Sequence, residues 1–115
     1  MQFKEADGTC RVTSDDIVLK LRVTLPIWVD EARADPQVRA VWGTYYQDLK
    51  AHEEGHKAIA VDAADRINKI THQASAAGAC DAFRQSLDSA ARQIAEAAEG
   101  AQDEHDAEAK PFALE

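Results

Sequence analysis

The chain has 115 residues with 21 acidic and 13 basic side chains, a formal charge of -8. That length supports one small domain with one core, so any active site must use most of the fold. The acidic residues are dispersed and no Lys/Arg cluster is interleaved with aromatics, which argues against nucleic acid as a partner. No apolar run approaches the ~20 residues of a membrane-spanning helix, so no membrane insertion is expected, and the first residues, Met1-Gln2-Phe3-Lys4, lack a signal-peptide core. The domain is expected to span 1–115, with room for it to be a piece of a longer chain.

Asp7-Gly8 is a turn signal ahead of Thr9-Cys10-Arg11-Val12-Thr13, which reads as a strand. Beyond it, Ile17, Leu19, Leu21, Val23 and Leu25 alternate with Val18, Lys20, Arg22 and Thr24. Period two is the mark of a half-buried strand, so an antiparallel β-ribbon over 9–28 is predicted, closed at Pro26 because proline cannot donate to a ladder.

Asp35-Pro36 combines a capping carboxylate with a proline tolerated in the first turn, and starts a predicted helix over 36–74. Its apolar stripe runs through Val38, Val41, Trp42, Tyr45 and Leu49 to Ile59, Ala63, Ile67 and Ile70, in steps of three or four. His52 and His56 lie within that stripe. Ser75-Ala76-Ala77-Gly78 interrupts it, Gly78 suits a helix C-terminus, and Asp81 is placed to cap a second helix over 81–109. The stripe there is Phe83, Leu87, Ala90, Ala91, Ile94, Ala98, Ala101 and His105, and the residues from Lys110-Pro111 read as a tail. The expected fold is α+β, a short antiparallel ribbon packed on a long two-helix antiparallel hairpin.

Chemistry concentrates in His52-Glu53-Glu54-Gly55-His56. Two histidines four residues apart project from one side of a helix, where two imidazole nitrogens can converge on one zinc ion. Glu53 beside the first histidine is the candidate general base for a metal-activated water. Packing is the alternative, but two polar rings on a core-facing stripe each need a partner. Gly55 costs a helix interior ~1 kcal/mol relative to alanine, which hints at a close neighbour.

The third ligand is sought by register. In a hairpin turning near Gly78, facing residues have numbers summing to about 156, so His52 faces the region of 104. His105 is the first choice, with Asp106 or Glu108 as carboxylate alternatives. His72 lies roughly 24 Å along the helix from His56 and is excluded. Cys10 and Cys80 are not in a CxxC arrangement, so a zinc ribbon is ruled out; they form one long-range disulfide or stay as two buried thiols.

Taken together, Gly8-Thr9-Cys10-Arg11-Val12, Val23-Thr24-Leu25-Pro26-Ile27-Trp28, Trp42 with Tyr45, His52-Glu53-Glu54-Gly55-His56 and Cys80 make the chain resemble a bacterial family, domain of unknown function 922, regarded as secreted zinc-dependent proteases. The resemblance implies peptide-bond hydrolysis with zinc, a peptide or protein substrate, export to the periplasm or beyond, and a Cys10–Cys80 bridge. The family also tends to carry Tyr-Asp-x-x-Thr-x-His-Gly after the second helix. Here that stretch is His105-Asp106-Ala107-Glu108-Ala109-Lys110-Pro111-Phe112, which keeps the aspartate and puts proline where the family has histidine. The alternative to an enzyme is a non-catalytic helical-hairpin binding module with a vestigial or structural metal site.

Overall fold

The computed structural model describes residues 1–109. In chain order the elements are β1 (Gln2–Ala6), β2 (Thr9–Ser14), a 3-10 turn (Glu31–Arg33), α1 (Pro36–Thr71), β3 (Ser75–Ala77) and α2 (Cys80–Ala107). The three strands form one antiparallel sheet in the order β1-β2-β3, and the two helices pack on each other as a hairpin, so the fold is α+β. The molecule is elongated, 73 × 23 × 15 Å. No helix among the described residues is long and apolar enough to cross a membrane.

The Asp7-Gly8 signal turns a tighter hairpin than predicted. Asp7 (φ 53°) and Gly8 (φ 73°) are both left-handed, which matches the twist of a two-residue hairpin turn, and Ala6 pairs with Thr9 across it. The strand beside β2 is therefore the mostly polar stretch from Gln2, not the alternating segment 17–25. The second edge of β2 is taken by β3, through Thr9–Ala77, Cys10–Ala76 and Arg11–Ser75. With both edges occupied, residues 17–25 have no ladder beside β2 and follow α1 as irregular chain, where Ile17, Val18 and Leu19 flank Val61, Ala64 and Asn68. The predicted ribbon over 9–28 is thus replaced by a sheet of 2–6, 9–14 and 75–77.

Helix α1 begins where its capping signal predicts. The Asp35 carboxylate accepts from the Gln37 N–H at 2.8 Å, with Pro36 in the first turn. It ends three residues earlier than predicted, because Gln73 adopts a left-handed conformation (φ 54°) that turns the chain into β3. Gly78 is left-handed too (φ 103°), but it serves the turn from β3 into α2, where its N–H donates to the Gly8 carbonyl at 2.7 Å. The N-cap of α2 is Ala79 without a side-chain cap; Asp81, predicted for that role, sits in the first turn, where its negative charge complements the positive end of the helix dipole.

The core lies where the sheet meets the hairpin bend. Cys10 and Thr71 are fully buried, Val12 and Leu87 nearly so, and Phe3 packs edge-on against Phe83 at 6.0 Å between centroids. Cys10 is bonded to Cys80, so the middle strand is tied covalently to the start of α2, across a sequence separation of 70. Thr71 donates its hydroxyl to the Ile67 carbonyl at 3.0 Å, with the Asp15 carboxylate at 3.2 Å, which gives this buried polar group its partners. From this anchored end the helices run outward, and α1 extends past the last turn of α2. The predicted tail from Lys110-Pro111 lies outside the described residues.

Candidate metal centre

His52 and His56 occupy one face of α1 one turn apart, and His105 and Asp106 close the same level from the last turn of α2. The observed cross-hairpin neighbours, His52 with His105 and His56 with Gln102, agree with the register argument to within two residues. One candidate donor atom from each of His52, His56 and His105 lies within 4.8 Å of the others, so these three residues could hold a metal ion. All three are half-buried.

The ring nitrogens point inward for identifiable reasons. Gln102 donates its side-chain N–H to the His56 carbonyl at 3.0 Å, which fixes the amide so that Oε1 faces the His56 ring. His56 Nδ1–H donates to that oxygen, leaving Nε2 to face the interior of the cluster. His56 Nε2 lies 3.1 Å from His52 Nε2 and 2.6 Å from Asp106 Oδ1, and His52 Nε2 lies 2.9 Å from the same carboxylate oxygen. Three electron-rich atoms around one point repel unless a cation lies among them. A proton on an imidazole meets that need, and so does a metal ion.

The acid–base consequences follow. The hydrogen bond to Gln102 is the largest influence raising the His56 pKa above the ordinary imidazole value; partial burial opposes it, and Asp106 and the charge of Glu53 add to the rise. Asp106 is held below the usual carboxylate range, chiefly by its hydrogen bonds to His52 and then His56.

His105 is arranged differently. Its Nε2–H donates to the His52 backbone carbonyl at 2.7 Å, and its ring stacks face to face on that of His52, with centroids 4.3 Å apart and planes 6° from parallel. The His105 ring lies directly over Gly55, where an added Cβ would overlap its Cε1 and Nε2 atoms. The glycine inside the motif is therefore the space that the ring fills. Glu53 is half-buried and makes no hydrogen bond or ion pair with any described residue. Glu54 points outward and lies 4.0 Å from Lys57, a surface pair of little energetic weight. Glu108, the third alternative, caps the end of α2 and is exposed. His72 is far away beside Asp15, at 3.6 Å.

Next to the cluster, the overhanging part of α1 carries aromatics. Trp42 packs against Trp28, Tyr45 and Tyr46 at 5.8, 5.7 and 6.1 Å between centroids. This contact brings the end of the irregular 15–29 segment back onto α1. Gln102 was not found from the sequence, since a glutamine on a polar helix face looks the same whether it meets solvent or a ring.

Fold and site define a class: a small α+β domain whose helical hairpin brings three imidazoles and a carboxylate together around one point. The sequence matches the family model described as Bacterial protein of unknown function (DUF922) over residues 1–112, and the chain belongs to that family. No curated protein and no solved structure matches it.

Proposed function

We propose that the protein is a zinc-dependent metallopeptidase. The observation that carries this reading is the HExxH pair on α1, with Nε2 atoms 3.1 Å apart and a free carboxylate, Glu53, beside the first histidine. The donor set fits the ion. Borderline-soft zinc favours imidazole with one further N or O donor in hydrolytic sites, and His56 Nδ1–H on Gln102 is the kind of outer contact that fixes a ligating tautomer. His52 and His56 hold the ion, and α2 supplies the third donor from His105 or Asp106.

A zinc ion bound there would supply Lewis acidity, lowering the pKa of a bound water to ~7 and polarising a carbonyl. The Glu53 carboxylate accepts the proton of the attacking water and returns it to the leaving nitrogen. The Trp42, Tyr45 and Tyr46 cluster two to three turns before His52 offers an apolar wall for substrate side chains. The Cys10–Cys80 disulfide supports export to an oxidising compartment, since such bonds persist outside the reducing cytoplasm.

The test is a broad peptide library incubated with zinc-loaded wild type and with Glu53→Gln. The wild type is expected to cleave, and the variant to lose at least ~100-fold in rate while keeping its zinc. Zinc-loaded wild type that cleaves nothing, where a known zinc peptidase does, argues for a non-catalytic module. If a chelator then also collapses the fold, the ion is structural.

A further inference from the structure

We infer that Asp106, and not His105, is the third metal ligand, and that His105 is a positioning residue for His52. The inference rests on the metal reading above and deepens it. Proximity alone favours three histidines, because all their candidate donors lie within 4.8 Å. Direction decides otherwise.

An imidazole binds a metal through an in-plane lone pair, so an ion shared by two imidazoles lies in both ring planes at once. The planes of His52 and His56 cross at 87°, so they share a line, and both Nε2 atoms are directed at the same Asp106 Oδ1. The planes of His52 and His105 are only 6° apart and stacked face to face, so they do not meet within bonding distance of either ring. His105 Nε2–H donates to the His52 carbonyl at 2.7 Å, which leaves Nδ1 as its donor atom, and Nδ1 lies in the plane of that same stacked ring. For His105 to bind the ion shared by His52 and His56 its ring must leave the His52 face and vacate the space over Gly55.

Asp106 needs no such movement. Its Oδ1 is 2.9 Å from His52 Nε2 and 2.6 Å from His56 Nε2, so with their 3.1 Å separation the three atoms form a compact triangle. An ion with bonds of 2.0–2.1 Å in a tetrahedral set has donor–donor edges of about 3.3 Å, so a small opening of this triangle seats it. The Asp106 side chain is 64 % exposed, which leaves its other oxygen and the outer side of the site open to water and substrate.

His105 then has a defined task. Stacked on His52 and bonded to its backbone carbonyl, it fixes the plane of that ring and thereby the direction of its lone pair. Gly55 is what lets it approach so closely.

The experiment is zinc affinity of the full chain, measured by competition with a chromophoric chelator, for wild type, Asp106→Ala and His105→Gln, with helix content checked by circular dichroism. The glutamine amide keeps an N–H for the His52 carbonyl but removes the imidazole. Asp106→Ala is expected to weaken binding by more than about 100-fold, and His105→Gln by less, within the roughly 10- to 100-fold range for an outer contact. Cobalt-substituted His105→Gln should keep the visible absorption envelope of wild type, because the ligand set is unchanged; cobalt-substituted Asp106→Ala should not. The reverse order of affinities, or a cobalt spectrum altered by His105→Gln alone, overturns the inference while leaving the metal reading intact. A wild type that binds no zinc overturns both.

Discussion

Alanine at position 55 separates the demands of the helix from those of the site. Gly55→Ala supplies the ~1 kcal/mol that glycine costs in a helix interior. Against this, the new methyl group overlaps the His105 ring, which must swing out. Its hydrogen bond to the His52 carbonyl, about 0.5–1.5 kcal/mol, is then lost, together with the stack on His52. Forcing the methyl into a rigid core would cost about 1–3 kcal/mol, but His105 lies in the last turn of α2 and can move at the low end of that range. The opposing terms nearly cancel, so the net change in unfolding free energy should stay within about 2 kcal/mol. Zinc affinity should behave otherwise, falling 10- to 100-fold because the His52 ring is no longer held in its plane. Urea unfolding of the metal-free protein and chelator competition of the zinc form measure the two quantities separately. A variant that gains the full propensity term and binds zinc like wild type would refute the reasoning, since it would mean that no ring lies over position 55.

Gln102→Leu keeps the size of the side chain and removes both bonds to His56; zinc affinity should drop 10- to 100-fold, and nitrogen NMR of the His56 ring should report a mixed tautomer in place of a single Nδ1–H form. Replacing Cys10 and Cys80 with serine opens a link between residues 70 apart, for which loop entropy gives about 4 kcal/mol. With so few fully buried side chains to compensate, the denaturant midpoint should fall sharply, and a change under about 1 kcal/mol would contradict a structural role for the bridge. Leu87→Ala in the core beside the sheet should cost about 2–5 kcal/mol in the same assay and leave the zinc affinity of the folded protein unchanged.

The helices were legible because each carries a long stripe of period 3.6, and their antiparallel register followed from a short connection. That register alone brings His105 to the level of His52. The sheet was harder for a physical reason. Alternation at 17–25 is the pattern of a half-buried strand, but a strand also needs a free edge, and β2 has none left once β1 and β3 have paired with it, so Ile17, Leu19, Leu21 and Val23 stay exposed. β1 and β3 carry no strand signal of their own, because Gln2–Ala6 has one large apolar residue, Phe3, and Ser75–Ala77 has none; long-range pairing with β2, not local preference, makes them strands. At the site, residue type and height could be read along the chain, whereas ring orientation could not. The stack of His105 on His52, the amide of Gln102 and the reach of Asp106 depend on side-chain directions across the hairpin that no spacing encodes.

The central claim is that His52 and His56 are one half of a metal site. Isothermal titration of the metal-free chain with zinc tests it most directly, with the double variant His52→Ala/His56→Ala alongside. One equivalent bound by the wild type, and none by a double variant of equal helix content, is the predicted result. A wild type that takes up no zinc, or a double variant that takes it up equally well, would contradict the account.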